Sequence, residues 1–111
     1  MRTFSDYLKE NMGRMKHFTY HAEDIAVRDP RSSDSEMLDV LEADMDCKYW
    51  IGESGHIDNI EISTSESLVI LDQDDKELSK KDFTEEQYET IKKGIAEYVR
   101  KNHYNEVWEA K

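Results

Sequence analysis

Few residues in this chain have the type and spacing to do chemistry. His17 and His21 stand four apart. On a helix they would share a face and could hold a metal together. No third ligand lies near them in sequence, and the glutamate of the zinc-protease pattern is missing, so two surface histidines is the preferred reading. Asp72, Asp74, Asp75 and Glu77 follow the opening spacing of a calcium loop. That loop needs glycine at its sixth place and glutamate at its twelfth; here those places hold Glu77 and Phe83. Ser54, in a glycine-rich stretch, has no identifiable base. There is no nucleophile elbow, phosphate-binding glycine loop or cysteine–histidine cluster. The single Cys47 excludes an internal disulfide and fits a reducing compartment. Carboxylates are so abundant that no catalytic pair can be singled out. The expectation is a protein without catalytic residues, metal or cofactor.

What the chain does offer is a row of charge. From Leu41 to Ile51, apolar or half-apolar residues (Leu41, Ala43, Met45, Cys47, Tyr49, Ile51) alternate with Glu42, Asp44, Asp46 and Lys48, and Trp50 is the one break. Strict alternation is the mark of a strand with one buried and one wet face. On such a strand Glu42, Asp44 and Asp46 stand in file, about 6.8 Å apart at a rise of about 3.4 Å per residue. A helix is the competing reading. Met37, Leu38, Leu41 and Met45 recur at helical spacing, and Ser33 with Glu36 could form a capping box. The strand, from about Leu38 to Ile51, is preferred because a helix would scatter the later alternating residues.

The charge is concentrated in the same region. The whole chain carries a net −11 over 111 residues. Between Asp34 and Asp75 there are 13 acidic residues and one basic residue, Lys48, a net of −12, so the remainder is close to neutral. Such a segment repels nucleic acid and anionic membrane and attracts a basic surface.

The elements that must position this row are read as follows. Thr3 caps a first helix with Asp6 near its start; Phe4, Leu8, Met15, Phe18, Ala22 and Ile25 fall at alternating spacings of four and three, skipping a polar Asn11, an apolar stripe reaching about Val27. Gly13 could bend this helix. A short strand over His17 to Ala22, where Phe18, Tyr20 and Ala22 alternate, is the alternative. Asp29-Pro30 ends the element. After the long strand, Gly52 to Gly55 makes a hairpin turn, His56 to Ser63 a second strand, Thr64 to Ser67 a turn, and Leu68 to Leu71 a short third strand, expected to be the best buried. Gln73-Asp74-Asp75 closes this meander.

The last helix has the clearest start. Thr84 and Gln87 form a capping box, Phe83 and Tyr88 a hydrophobic staple. Tyr88, Ile91, Ile95, Tyr98 and Val99 are its buried stripe. Val107 and Trp108 return to the body as a short turn or edge strand; an exposed Trp108 would mark an interface. The fold class is therefore α+β in a single domain, 1–111: an N-terminal helix, a three-stranded antiparallel β-meander with an acidic exposed face, and a C-terminal helix packed on the sheet. Thirty-seven per cent apolar residues with 11 aromatics are enough for one modest core. No run is long and apolar enough to span a membrane, and Met1 to Phe4 lacks a secretory apolar region; a cytoplasmic protein is expected.

Four functions are compatible with these features. The leading one is a non-enzymatic inhibitor that binds a basic, nucleic-acid-binding protein by imitating nucleic acid, and does not itself bind nucleic acid. Phage antirestriction and anti-CRISPR proteins work this way; the analogy is in charge and size, with no shared motif. Phosphates recur about every 3.4 Å along a DNA strand, so the carboxylate file matches two base steps. The binding residues would be Glu42, Asp44, Asp46, Asp58, Glu61 and Glu66. The alternatives are an immunity protein or antitoxin against a nuclease toxin, a structural or interaction domain whose acidity serves only solubility, and a small enzyme or metal-binding protein. A bare sheet edge beside Trp108 leaves a homodimer open.

Overall fold

A computed structural model describes residues 15–52, 55, 57 and 59–111. Four strands form one antiparallel sheet in sequence order: β1 (Met15–Arg28), β2 (Met37–Trp50), β3 (Ile60–Leu71) and β4 (Glu77–Leu78). A one-turn 3-10 helix (Lys80–Asp82) leads into α1 (Glu85–Asn102), followed by α2 (Tyr104–Ala110).

This overturns the expected N-terminal helix. Residues 15–28 are a strand, and the remaining part of that expected helix, with Thr3, Phe4, Asp6, Leu8 and Gly13, lies outside the described residues. The protein is mostly β with helices at the C-terminal end. The physical reason is visible in the burial. Phe18, Tyr20 and Ala22 face the core side, then Ile25 and Val27 do. The four-residue step from Phe18 to Ala22 is two strand periods. The three-residue step from Ala22 to Ile25 comes from one extra residue, Asp24, whose φ of 55° lies in the left-handed region. A phase change in a strand thus imitated a helical stripe.

β2 changes phase at the same level. Leu38 and Val40 are buried, then Ala43, Met45 and Cys47 are. Leu41, expected on the apolar face, is exposed. Glu23 pairs with Glu42 and Ile25 with Val40, so the extra residues Asp24 and Leu41 offset each other and the β1–β2 register is constant from end to end. β3 has no matching insertion there. Its register against β2 shifts between Val40 and Glu42, and again between Ala43 and Met45. The second shift absorbs Ser65 to Ser67, so the stretch read as a turn is a bulge inside one long strand. Only Ile70 of the Leu68–Leu71 segment is fully buried.

The core lies between the inner sheet face and α1. Tyr88, Ile91, Ile95 and Val99 of α1 and Val107 of α2 are buried against Ile25, Val40, Met45, Ile60 and Ile62. Thr84 Oγ1 accepts from the Gln87 amide at 3.1 Å and Gln87 Oε1 accepts from the Thr84 amide at 2.9 Å, so the capping box is formed. Phe83 stacks on Tyr88 with centroids 6.4 Å apart. Thr64 is buried and donates its hydroxyl to the Lys92 carbonyl at 2.7 Å, pinning the middle of α1 to the bulge of β3. The β1–β2 connection is fixed by Asp29, which accepts from Arg31 Nε at 3.1 Å and Nη2 at 3.0 Å, while the guanidinium lies 4.7 Å from the Phe83 ring.

Candidate functional site

The two helices cover one face of the sheet. The outer face is open, and the strand registers decide what stands on it. Across β1, β2 and β3 the outer rows are His17–Lys48–Glu61, Thr19–Asp46–Ser63, His21–Asp44, and Glu23–Glu42–Val69. Five carboxylates in these rows therefore share the face with one lysine, and beyond Asp24 and Leu41 the face continues with Asp39 and Arg28. Glu42, Asp44 and Asp46 follow one another along β2, as their alternation implied.

The neighbours of that file change its character. His21 Nδ1 donates to Asp44 Oδ1 at 2.7 Å, and His21 Nε2 lies 3.5 Å from Glu23 Oε1 and 4.0 Å from Glu42 Oε1. The bond to Asp44, and after it the charges of Asp44, Glu42 and Glu23, raise the His21 pKa above its ordinary value. The same bond holds the Asp44 carboxyl below the usual range, with help from Ser67. Lys48 Nζ reaches Glu61 Oε2 at 3.4 Å. Asp46 has no ion pair among the described residues and is exposed. At the end of the face stands Trp50, 44% exposed, with Lys48 Nζ 5.8 Å from its ring.

Glu66 is placed elsewhere. It belongs to the β3 bulge on the helix side, where Lys92 donates to its Oε1 at 2.9 Å and Lys80 Nζ lies 3.8 Å from Oε2. Lys92 is the main cause that lowers the Glu66 pKa. Asp58, like Ser54, lies outside the described residues.

The structure also decides the other chemical motifs. His17 and His21 lie on a strand, so four residues separate them by about 13 Å and they cannot share an ion. Asp72 spends its carboxylate on the turn before β4, accepting from the amides of Asp74 at 2.8 Å and Lys76 at 2.9 Å; Asp75 takes φ 61°. The acidic tetrad is thus a tight Asx-type turn. Cys47 is buried on the inner face, and burial pushes its thiol up to about 11, so it carries almost no thiolate at neutral pH. Trp108 is half-buried, edge-on to Tyr104 with centroids 6.0 Å apart. The exposed tryptophan is Trp50 instead.

His21, Glu23 and Trp50 are the outer-face residues that sequence reasoning missed. The signal was present in the alternation of Phe18, Tyr20 and Ala22. That alternation gives the strand and the face of His21 and Glu23, and the register observed between β1 and β2 sets His21 opposite Asp44.

Among the described residues, no helix is long and apolar enough to cross a membrane. Comparison with protein-family models, curated proteins and solved structures finds no match.

Proposed function

We propose that this protein is a non-enzymatic, acidic inhibitor that occupies the basic nucleic-acid-binding surface of a partner protein. One observation carries the reading. On the half of the open sheet face that precedes the paired insertions along β1, Glu23, Glu42, Asp44, Asp46 and Glu61 stand with Lys48, and beyond the insertions Asp39 and Arg28 share the face. The file on β2 is held by strands on both sides, so its carboxylates are presented without a large ordering cost. Trp50, at the end of the same face, supplies the aromatic anchor that binding surfaces favour. Glu42, Asp44, Asp46 and Glu61 are the partner-contacting acids in this reading; Glu66, engaged by Lys92 and Lys80, is not among them. The site of action would be the cytoplasm, where such partners and a reduced Cys47 coexist.

The pairing of Asp44 with His21 and of Glu61 with Lys48 favours a second reading. In it the face is a self-compensated surface whose acidity serves solubility. One experiment separates the two. The immobilised protein and a variant carrying Glu42→Gln, Asp44→Asn and Asp46→Asn are challenged with nucleic-acid-binding proteins at low and moderate salt, then washed with duplex DNA. The inhibitor reading expects retention by the parent protein, release by DNA, and loss in the variant. Equal retention by both proteins, or none at any salt, leaves the solubility reading.

A further inference from the structure

One corner of the outer face has a geometry that an acidic patch alone lacks. An ionised carboxylate can only accept a hydrogen bond. The 2.7 Å contact to Asp44 therefore places the proton of a neutral His21 ring on Nδ1 and leaves a lone pair on Nε2. That lone pair faces Glu23 Oε1 at 3.5 Å and Glu42 Oε1 at 4.0 Å. One donor atom from each of His21, Glu23 and Glu42 lies within 4.8 Å of the other two. Three acceptors converge on a point where a positive charge is favoured: a second proton on the ring, or a cation.

The distances suit a cation. A tetrahedral ion with bonds of about 2.0–2.1 Å sets its ligand atoms about 3.4 Å apart. The two His21 distances are close to that, and all three side chains end in rotatable bonds. The backbone explains the placement. Glu23 and Glu42 are direct cross-strand partners beside the extra residues Asp24 and Leu41. Like charges in that position repel, and no lysine or arginine pairs with either among the described residues; their only ion-pair partner there is His21. Asp44 behind the ring completes the carboxylate–histidine–metal relay that fixes the tautomer and raises ligand basicity.

We propose that His21 Nε2, Glu23 and Glu42 form a surface site for a borderline divalent cation. Zn2+ accepts imidazole nitrogen and carboxylate oxygen together in a four-coordinate site, and it is the ion this donor set is tested with. Asp44 positions the histidine, and the fourth place is open to water. The ligands are about half exposed, so binding is reversible and the sheet folds without it. An occupied site adds two positive charges to one end of the acidic file, which changes how that face meets any charged partner. The site stands on its own geometry and not on the inhibitor reading.

The test uses the full chain after chelator treatment. Zn2+ is titrated in by calorimetry while the histidine ring resonances are followed by NMR. One equivalent should bind, with the His21 ring protons shifting to saturation at that equivalent. His21→Ala should abolish this binding. Asp44→Asn should weaken it by about 10–100-fold, as expected for an outer-shell partner. Glu42→Gln should weaken it as well, and His17→Ala should leave it unchanged. A circular-dichroism spectrum identical to the parent's confirms each variant is folded. His21 resonances unmoved at saturating Zn2+, or unchanged affinity in both His21→Ala and Glu42→Gln, would overturn the proposal and leave a proton as the sole occupant of Nε2.

Discussion

His21 faces Asp44, Glu42 and Glu23 from three directions, and its titration follows from that. Its pKa is raised, so the charged ring is favoured by folding. The stability it contributes is present in full below the unfolded value of about 6.5 and is lost as pH rises through the folded value. Asp44 runs the other way. Its lowered pKa gives a contribution present above about 3.9 and lost as pH falls through the folded value. The pair is therefore strongest between those limits. An NMR titration should place His21 above the ordinary histidine value, and Asp44→Asn should move it back down. A thermal-melt series should show the parent losing stability above pH 6.5 relative to His21→Ala. Parallel curves for the two proteins would show the pair to be energetically idle. Cys47 marks the opposite case, a reactive residue type made inert by its place in the core.

At the scale of elements, the paired insertions in β1 and β2 decide which side chains face out. Asp24 adopts a φ of 55°, a region that aspartate tolerates and β-branched residues do not. Asp24→Val should cost about 1–2 kcal/mol in denaturant unfolding, while Asp24→Gly should be close to neutral; equal effects would mean that the backbone there is not strained. Gly94 offers the converse change. It lies inside α1, and an added Cβ would meet Val27 Cγ1 at 3.7 Å, an ordinary contact. Gly94→Ala should raise stability by about 0.5–1 kcal/mol through helix propensity. The same insertions explain what could be read from the chain beforehand. The start of α1 was legible because Thr84, Gln87, Phe83 and Tyr88 act locally. The strand character of β2 was legible because the seven residues from Ala43 to Tyr49 alternate without interruption. β1 was not, because the step from Ala22 to Ile25 has helical length when Asp24 is counted as an ordinary residue. The turn expected at Thr64 to Ser67 failed for a related reason: polar residues in a bulge have the composition of a loop. Glu42, Asp44 and Asp46 could be placed on one face from their spacing, whereas His21 and Glu23 required a register between strands that no local pattern encodes.

For the whole molecule the governing quantity is charge. A net of −11 opposes compaction through self-repulsion, and most of that excess falls in β2, β3 and the turns around them. The basic side chains of α1 offset it only locally, as Lys92 does for Glu66 and Glu89. Screening should then stabilise the fold. The Debye length falls from about 30 Å at 0.01 M salt to about 3 Å at 1 M, so the melting temperature should rise with sodium chloride over that range. Asp46 separates this global cost from any use of the face. It sits between Thr19 and Ser63, exposed and without an ion pair among the described residues. Asp46→Asn removes one repelling charge and breaks no ion pair there. It should leave the low-salt melting temperature unchanged or slightly higher, with a shallower salt dependence. If the outer face engages a basic partner, the same substitution should weaken that binding, most at low salt. A variant at least as stable as the parent but a poorer binder would show that the chain keeps Asp46 for recognition at the expense of stability. A variant that binds equally well would assign the charge to solubility alone.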